Sequence, residues 1–130
     1  MLRVGVLLAP AARAAEELPE SENQRISCHA REQAPITLGH AFAEWRYSDH
    51  GGTGCEKCHG GDPRATTVEA AHRGVLPAAE PEGWVHATRL AATCGACHAP
   101  ESKAYTDTVH AREVAEKGRG ATCLTCHGAM

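Results

Sequence analysis

"CEKCHGGDP", residues 55–63, sets two cysteines three apart with a histidine directly after the second. The same shape returns as Cys94-Gly95-Ala96-Cys97-His98, and again as Cys123-Leu124-Thr125-Cys126-His127. With seven cysteines and nine histidines in 130 residues, random order would give only on the order of a few hundredths of one such motif. The spacing has a chemical reason. Two thiols can add across the two vinyl groups of one porphyrin edge, and the next residue then offers its imidazole to the iron. C-x-x-C-H is therefore the attachment pattern of haem c. The sequence predicts three covalent haems, on Cys55/Cys58, Cys94/Cys97 and Cys123/Cys126, with His59, His98 and His127 as proximal ligands.

Two rivals use the same cysteines. Zinc knuckles are built from C-x-x-C pairs, but zinc does not need a histidine fused to every pair. Three C-x-x-C disulfides would close only tiny loops, so they would be redox-active rather than stabilising. Neither explains the repeated histidine.

The bulk composition agrees with a large prosthetic group. Hydrophobic residues make up 42% of the chain, yet aromatics are only 4% and there is a single phenylalanine. Such a chain has little large apolar surface to bury, so porphyrin rings are expected to supply the interior. The net charge of −3 is mild and shows none of the clustered Lys and Arg of a nucleic-acid surface. Haem propionates would make the loaded protein more acidic, which suits docking to basic patches on redox partner proteins.

No run of apolar residues is long enough for a transmembrane helix. The opening "MLRVGVLLAPAARAAEE" reads as an export signal over residues 1–14, with Arg3, an apolar run and the small-x-small Ala12-Arg13-Ala14. Haem attachment outside the cytoplasm points the same way, to a periplasmic or extracellular protein. Residues 15–35 are polar, acidic and Pro-flanked, with little regular structure expected. Residues 36–130 form the predicted haem domain. Short helices are expected at about 37–47, from a Thr66/Glu69 capping box to Gly74, at about 82–93, and at about 101–117 between Pro100 and Gly118. No stretch alternates as a strand would. The fold class expected is mostly irregular with short helices, wrapped around stacked haems, with little or no β-sheet.

A low-spin haem also needs a sixth ligand, usually Met or His. Met1 leaves with the signal, and Met130 lies too close to His127 to reach across its own haem. Histidines remain, so ligation on both sides by histidine is expected, with low reduction potentials. His110, on a predicted helix before the third motif, and His72, on the helix after the first, lead. His50 and His86 compete next, with His40 behind and His29 also available. Trp45-x-x-Ser48-x-His50 matches Tyr105-x-x-Thr108-x-His110, and each copy precedes a C-x-x-C-H, so the two halves read as a repeat. Cys28-His29 has Arg25 where a first cysteine would stand. It reads equally as a decayed fourth site, as a distal histidine beside an incidental thiol, or as a free cysteine able to form a dimer.

"CHGGDP…AAHRGVL", Cys58 to Leu76, and "CGACHAPESKAYTDTVHA", Cys94 to Ala111, resemble stretches of low-potential multihaem c-type cytochromes, including periplasmic quinol-oxidising and penta- and octahaem types. The resemblance covers residues 40–130 and implies distal roles for His72 and His110. It also implies a short-helical chain packed around stacked haems. Catalytic members of that wider group often carry C-x-x-C-K, which this chain lacks, and the membrane helix of the quinol-oxidising type is missing. The expectation is thus an electron carrier rather than an enzyme. The alternatives are a subunit of a nitrite, hydroxylamine or tetrathionate reductase, and a homo-oligomeric haem-chain filament in which one protomer ligates its neighbour's haem.

Overall fold

The computed structural model describes residues 22–32 and 42–128. The expected signal at 1–14, His40 and the start of the helix predicted from Thr37 lie outside the described residues. Among those described, the chain makes short helices joined by turns, with no strand: α1 (Gln24–Glu32), α2 (Phe42–Arg46), α3 (Glu56–His59), α4 (Val68–Ala71), α5 (Leu90–Gly95), α6 (Ala99–Thr106), α7 (Val109–Lys117) and α8 (Cys123–His127). This is the helical, irregular, sheet-free architecture that the sequence implied. No helix among the described residues is long and apolar enough to cross a membrane.

Helix α1 corrects the expectation of little regular structure before Pro35. Asn23 caps it: Oδ1 accepts from the backbone N–H groups of Arg25 and Ile26 at 3.1 and 3.2 Å. The helix then docks on the first cysteine motif and its loop. Asn23 Nδ2 donates to Glu56 Oε2 at 3.1 Å, Gln24 N donates to Pro63 O at 2.8 Å, and Arg25 Nη1 donates to the carbonyl of Gly60. A nine-residue helix is marginal by itself, so these tertiary bonds hold it.

Three other helices differ in their bounds. Thr67, not Thr66, caps α4, its side chain accepting from Ala70 N at 3.3 Å. The helix expected over 82–93 begins only at Leu90. Before it the chain advances by successive three-residue turns: Glu80 N to Pro77 O, Gly83 N to Glu80 O, His86 N to Gly83 O and Arg89 N to His86 O, all 2.8–3.0 Å. Pro77, Pro81 and Gly83 disfavour a continuous α-helix there. The helix expected over 101–117 is two helices. Thr108 Oγ1 donates to Tyr105 O at 2.7 Å and accepts from Ala111 N at 3.2 Å, ending α6 and capping α7 with one hydroxyl. Gly118, at φ 68°, closes α7 with its N–H on Val114 O.

The buried apolar side chains are Ile26, Trp45, Ala71, Leu90 and Val114, found on α1, α2, α4, α5 and α7 respectively. One such residue per helix does not make a continuous core among the described residues. Helices α5, α6 and α7 pack in series, and α3 lies against α5. Ser102 Oγ donates to Ala91 O at 2.6 Å and ties α6 to α5.

Candidate cofactor-attachment site

The cysteine motifs share one local conformation. His59 N donates to Cys55 O at 2.9 Å and Cys58 N to Cys55 O at 3.2 Å; His98 N and Cys97 N bond Cys94 O at the same two distances. The third motif is helix α8 itself, opened by a reciprocal Thr122/Thr125 capping box. One turn of helix brings positions i, i+3 and i+4 to one face. Each motif therefore presents two thiols and an imidazole together, which is the order a porphyrin edge and its iron require.

The motifs also lie against one another. Cys123, of the third motif, is close enough to Cys94, of the second, to raise its pKa. Cys97, of the second motif, is close enough to Cys58, of the first, to raise its pKa. Burial is the main influence on these thiols. It pushes Cys55 and Cys58 up, and with Cys123 beside it Cys94 is pushed up to about 11. None of the seven cysteines is paired in a disulfide. A redox-active C-x-x-C needs a lowered thiol pKa, and Cys55, Cys58 and Cys94 are shifted the other way. Among the described residues no three His, Cys, Asp or Glu side chains converge on one point as a zinc knuckle would need.

The histidines come in facing pairs instead. His50 faces His98, with ring centres 6.0 Å apart and planes at 81°. His29 faces His72, also at 6.0 Å, with planes at 47°. Imidazoles on opposite sides of one metal have ring centres roughly 6 Å apart, given metal–nitrogen distances of about 2 Å and ring bonds of about 1.3 Å. His50 Nδ1 is buried without a hydrogen-bond partner in the protein, so that nitrogen fits an iron ligand. Burial and the facing His72, followed by Arg25, lower the pKa of His29.

The other candidates are placed differently. His86 is engaged within its own turn, Nδ1 lying 2.8 Å from Thr88 Oγ1. His110 is exposed in the first turn of α7, and His127 is exposed at the end of α8. His59 is half-buried on α3.

The sequence repeat is also a repeat of hydrogen bonds. Trp45 Nε1 donates to Thr53 O at 3.1 Å, and Tyr105 Oη donates to Ala121 O at 2.9 Å. Thr53 and Ala121 each stand two residues before the first cysteine of the following motif. Ser48 Oγ and Thr108 Oγ1 donate back to Trp45 O and Tyr105 O, at 2.8 and 2.7 Å. Each aromatic thus staples the approach to a C-x-x-C-H. Sequence reasoning found the aromatic, hydroxyl and histidine but not the carbonyl they serve, because backbone acceptors leave no residue signature. It also missed Asn23, although Asn ahead of a helix is a capping signal, and Trp84, whose ring lies 3.5 Å from where a Cβ on Gly60 would sit.

The donor chemistry fits a porphyrin. Paired thiols sit on single helical turns, each with an imidazole that could bind the iron, and two imidazole pairs have ring centres 6.0 Å apart. No family model matches the chain, and no solved structure matches it. The chain is 31% identical over 111 residues, or 78% of its length, to the C-type polyheme cytochrome OmcC of Geobacter sulfurreducens. It spans 14% of that relative's length.

Proposed function

We propose that this chain is an electron-transfer protein or module that carries three haems c on Cys55/Cys58, Cys94/Cys97 and Cys123/Cys126, with His59, His98 and His127 as proximal ligands. When bound, haem supplies one-electron redox chemistry at its iron. The chain's own part is to hold and insulate. The aromatic staples fix the approach to the first and third motifs. Trp84 screens the Gly60 turn. His50 stands opposite His98, and its buried Nδ1 has no competing partner in the protein.

One observation carries the reading: the three motifs are gathered closely enough for their thiols to influence one another, first to second and second to third, with α3 packed against α5. Attachment edges that close together place their rings within short reach, which suits a wire more than a single reactive centre. Imidazole on both faces implies low potentials, since methionine raises them. Attachment of haem c and the opening Arg-plus-apolar stretch support export to the periplasm or beyond, where redox proteins with basic patches are the fitting partners.

The test is intact mass and a visible spectrum of the exported protein, followed by potentiometry. Low-potential one-electron steps and low-spin spectra are expected. A colourless product, or zinc in place of iron, overturns the reading. A high-spin iron that turns over nitrite or hydroxylamine with a reduced dye would replace it with a reductase.

A further inference from the structure

We propose that Cys28, His29 and His72 hold a fourth haem, joined to the chain by a single thioether. This rests on the haem reading of the other three motifs. Its basis is the second imidazole pair. His29 and His72 belong to no C-x-x-C-H, yet their ring centres stand 6.0 Å apart, the same separation as His50 and His98.

The tautomer of His72 suits a ligand. Its Nδ1 lies 2.8 Å from Val68 O, an acceptor only, so Nδ1 carries the hydrogen and Nε2 keeps a free lone pair. Cys28 precedes His29 on α1 as Cys58 precedes His59 on α3 and Cys126 precedes His127 on α8. The three positions line an open cleft between α1 and α4, together with Arg25, Thr67 and Val68.

Arg25 occupies the place of the missing first cysteine, one helical turn before Cys28. It is 7% exposed and donates Nη1 to Gly60 O, while its Nε is buried with no partner. The residue standing where a first thiol would be thus anchors α1 to the first motif and leaves an unpaired donor beside the cleft. An N–H of that kind suits an anionic group such as a propionate.

The attachment step is balanced within itself. The Cys28 S–H bond breaks and adds across one vinyl C=C, sulfur bonding the carbon next to the ring and hydrogen the terminal carbon. No oxidant or reductant is consumed, and the second vinyl remains.

The experiment uses the full chain, exported in a host that attaches haem c. Intact mass under denaturing conditions should show four haems, and the tryptic peptide Ile26–Arg31 should carry one. The reduced α band should have a component at longer wavelength, because one vinyl stays conjugated with its ring. Cys28→Ser should lower the denatured count from four to three and remove that component. His72→Ala should keep four haems but turn one high-spin. Three haems with the Cys28 peptide unmodified would overturn the fourth site while leaving the three-haem reading intact. No haem on any cysteine would overturn both. A fourth haem that persists covalently in Cys28→Ser would refute Cys28 as its attachment point.

Discussion

Asn23→Ala tests whether α1 is held by its docking rather than by its own sequence. The side chain is 1% exposed and makes three bonds. Two cap the helix, at 3.1 and 3.2 Å, and the third reaches the Glu56 carboxylate at 3.1 Å. Loss of an N-cap costs about 1 kcal/mol, and loss of a bond to a charged group about 1.5–3 kcal/mol. Together these make about 3 kcal/mol against local opening, or about a hundredfold in the opening equilibrium. The assay is native-state hydrogen exchange on the α1 amides, read by mass spectrometry. Exchange there should accelerate about a hundredfold, while α7 amides are unchanged, because α7 has no part in the contact. Asn23→Ser keeps a capping oxygen but loses the bond to Glu56, so it should still show the larger part of the effect, about 2 kcal/mol. A rate within about threefold of wild type in Asn23→Ala would refute the reasoning, since propensity alone would then suffice.

Four further outcomes follow from the same geometry. His50→Ala should turn one haem high-spin and open it to carbon monoxide, whereas His86→Ala should not; the reverse pattern would sink the His50–His98 assignment. Trp45→Phe and Tyr105→Phe each remove one staple bond and should each cost about 1 kcal/mol in thermal unfolding, so a silent change at either site would break the structural repeat. Burial holds the Tyr105 phenol above its ordinary value of 10.0. Its protonated form is favoured in the fold, so that stabilisation is complete below about pH 10 and is lost as pH rises through the raised value; Tyr105→Phe should flatten this alkaline limb of stability against pH. Gly61→Ala should cost about 2 kcal/mol or more in thermal unfolding, because φ is 89° and a Cβ would strike Ala71 O as well as Val75 at 2.9 Å; an unchanged melting temperature would refute it.

What the sequence revealed was chemistry; what it concealed was mostly geometry. The C-x-x-C-H motifs were legible because residue type and spacing repeat together in them. The absence of sheet was legible because nothing alternates. Helix ends were less so. The break at Thr108 is invisible to periodicity, because the same hydroxyl that ends α6 begins α7. The stretch 82–89 read as the start of a helix, yet each turn there closes on its third residue. Helix α1 was missed because it has one large apolar side chain, Ile26, and depends on partners more than thirty positions away, such as Glu56. The histidine pairs were the least legible. Facing rings such as His50 and His98 come from positions far apart in the chain, so proximity to a motif in sequence is no guide to the histidine that faces it.

That last point explains how so sparse a polypeptide can hold a definite shape. Among the described residues five apolar side chains are buried, on five of the eight helices, too few for helices to pack hydrophobic stripe on hydrophobic stripe. The bonds that cross between elements are instead polar and specific: Asn23 to Glu56, Arg25 to Gly60, Trp45 to Thr53, Tyr105 to Ala121. Such bonds are individually modest once exchange with water is counted, and they select a geometry better than they drive collapse. Collapse needs apolar area, and the proposed porphyrins are the source of it that the motifs provide. On this view the polar staples and the rings divide the work. The rings supply the driving force, and the staples decide which histidine meets which ring. Changing a staple should therefore disturb ligation and spin state before it disturbs haem content, since thioethers do not depend on hydrogen bonds once formed.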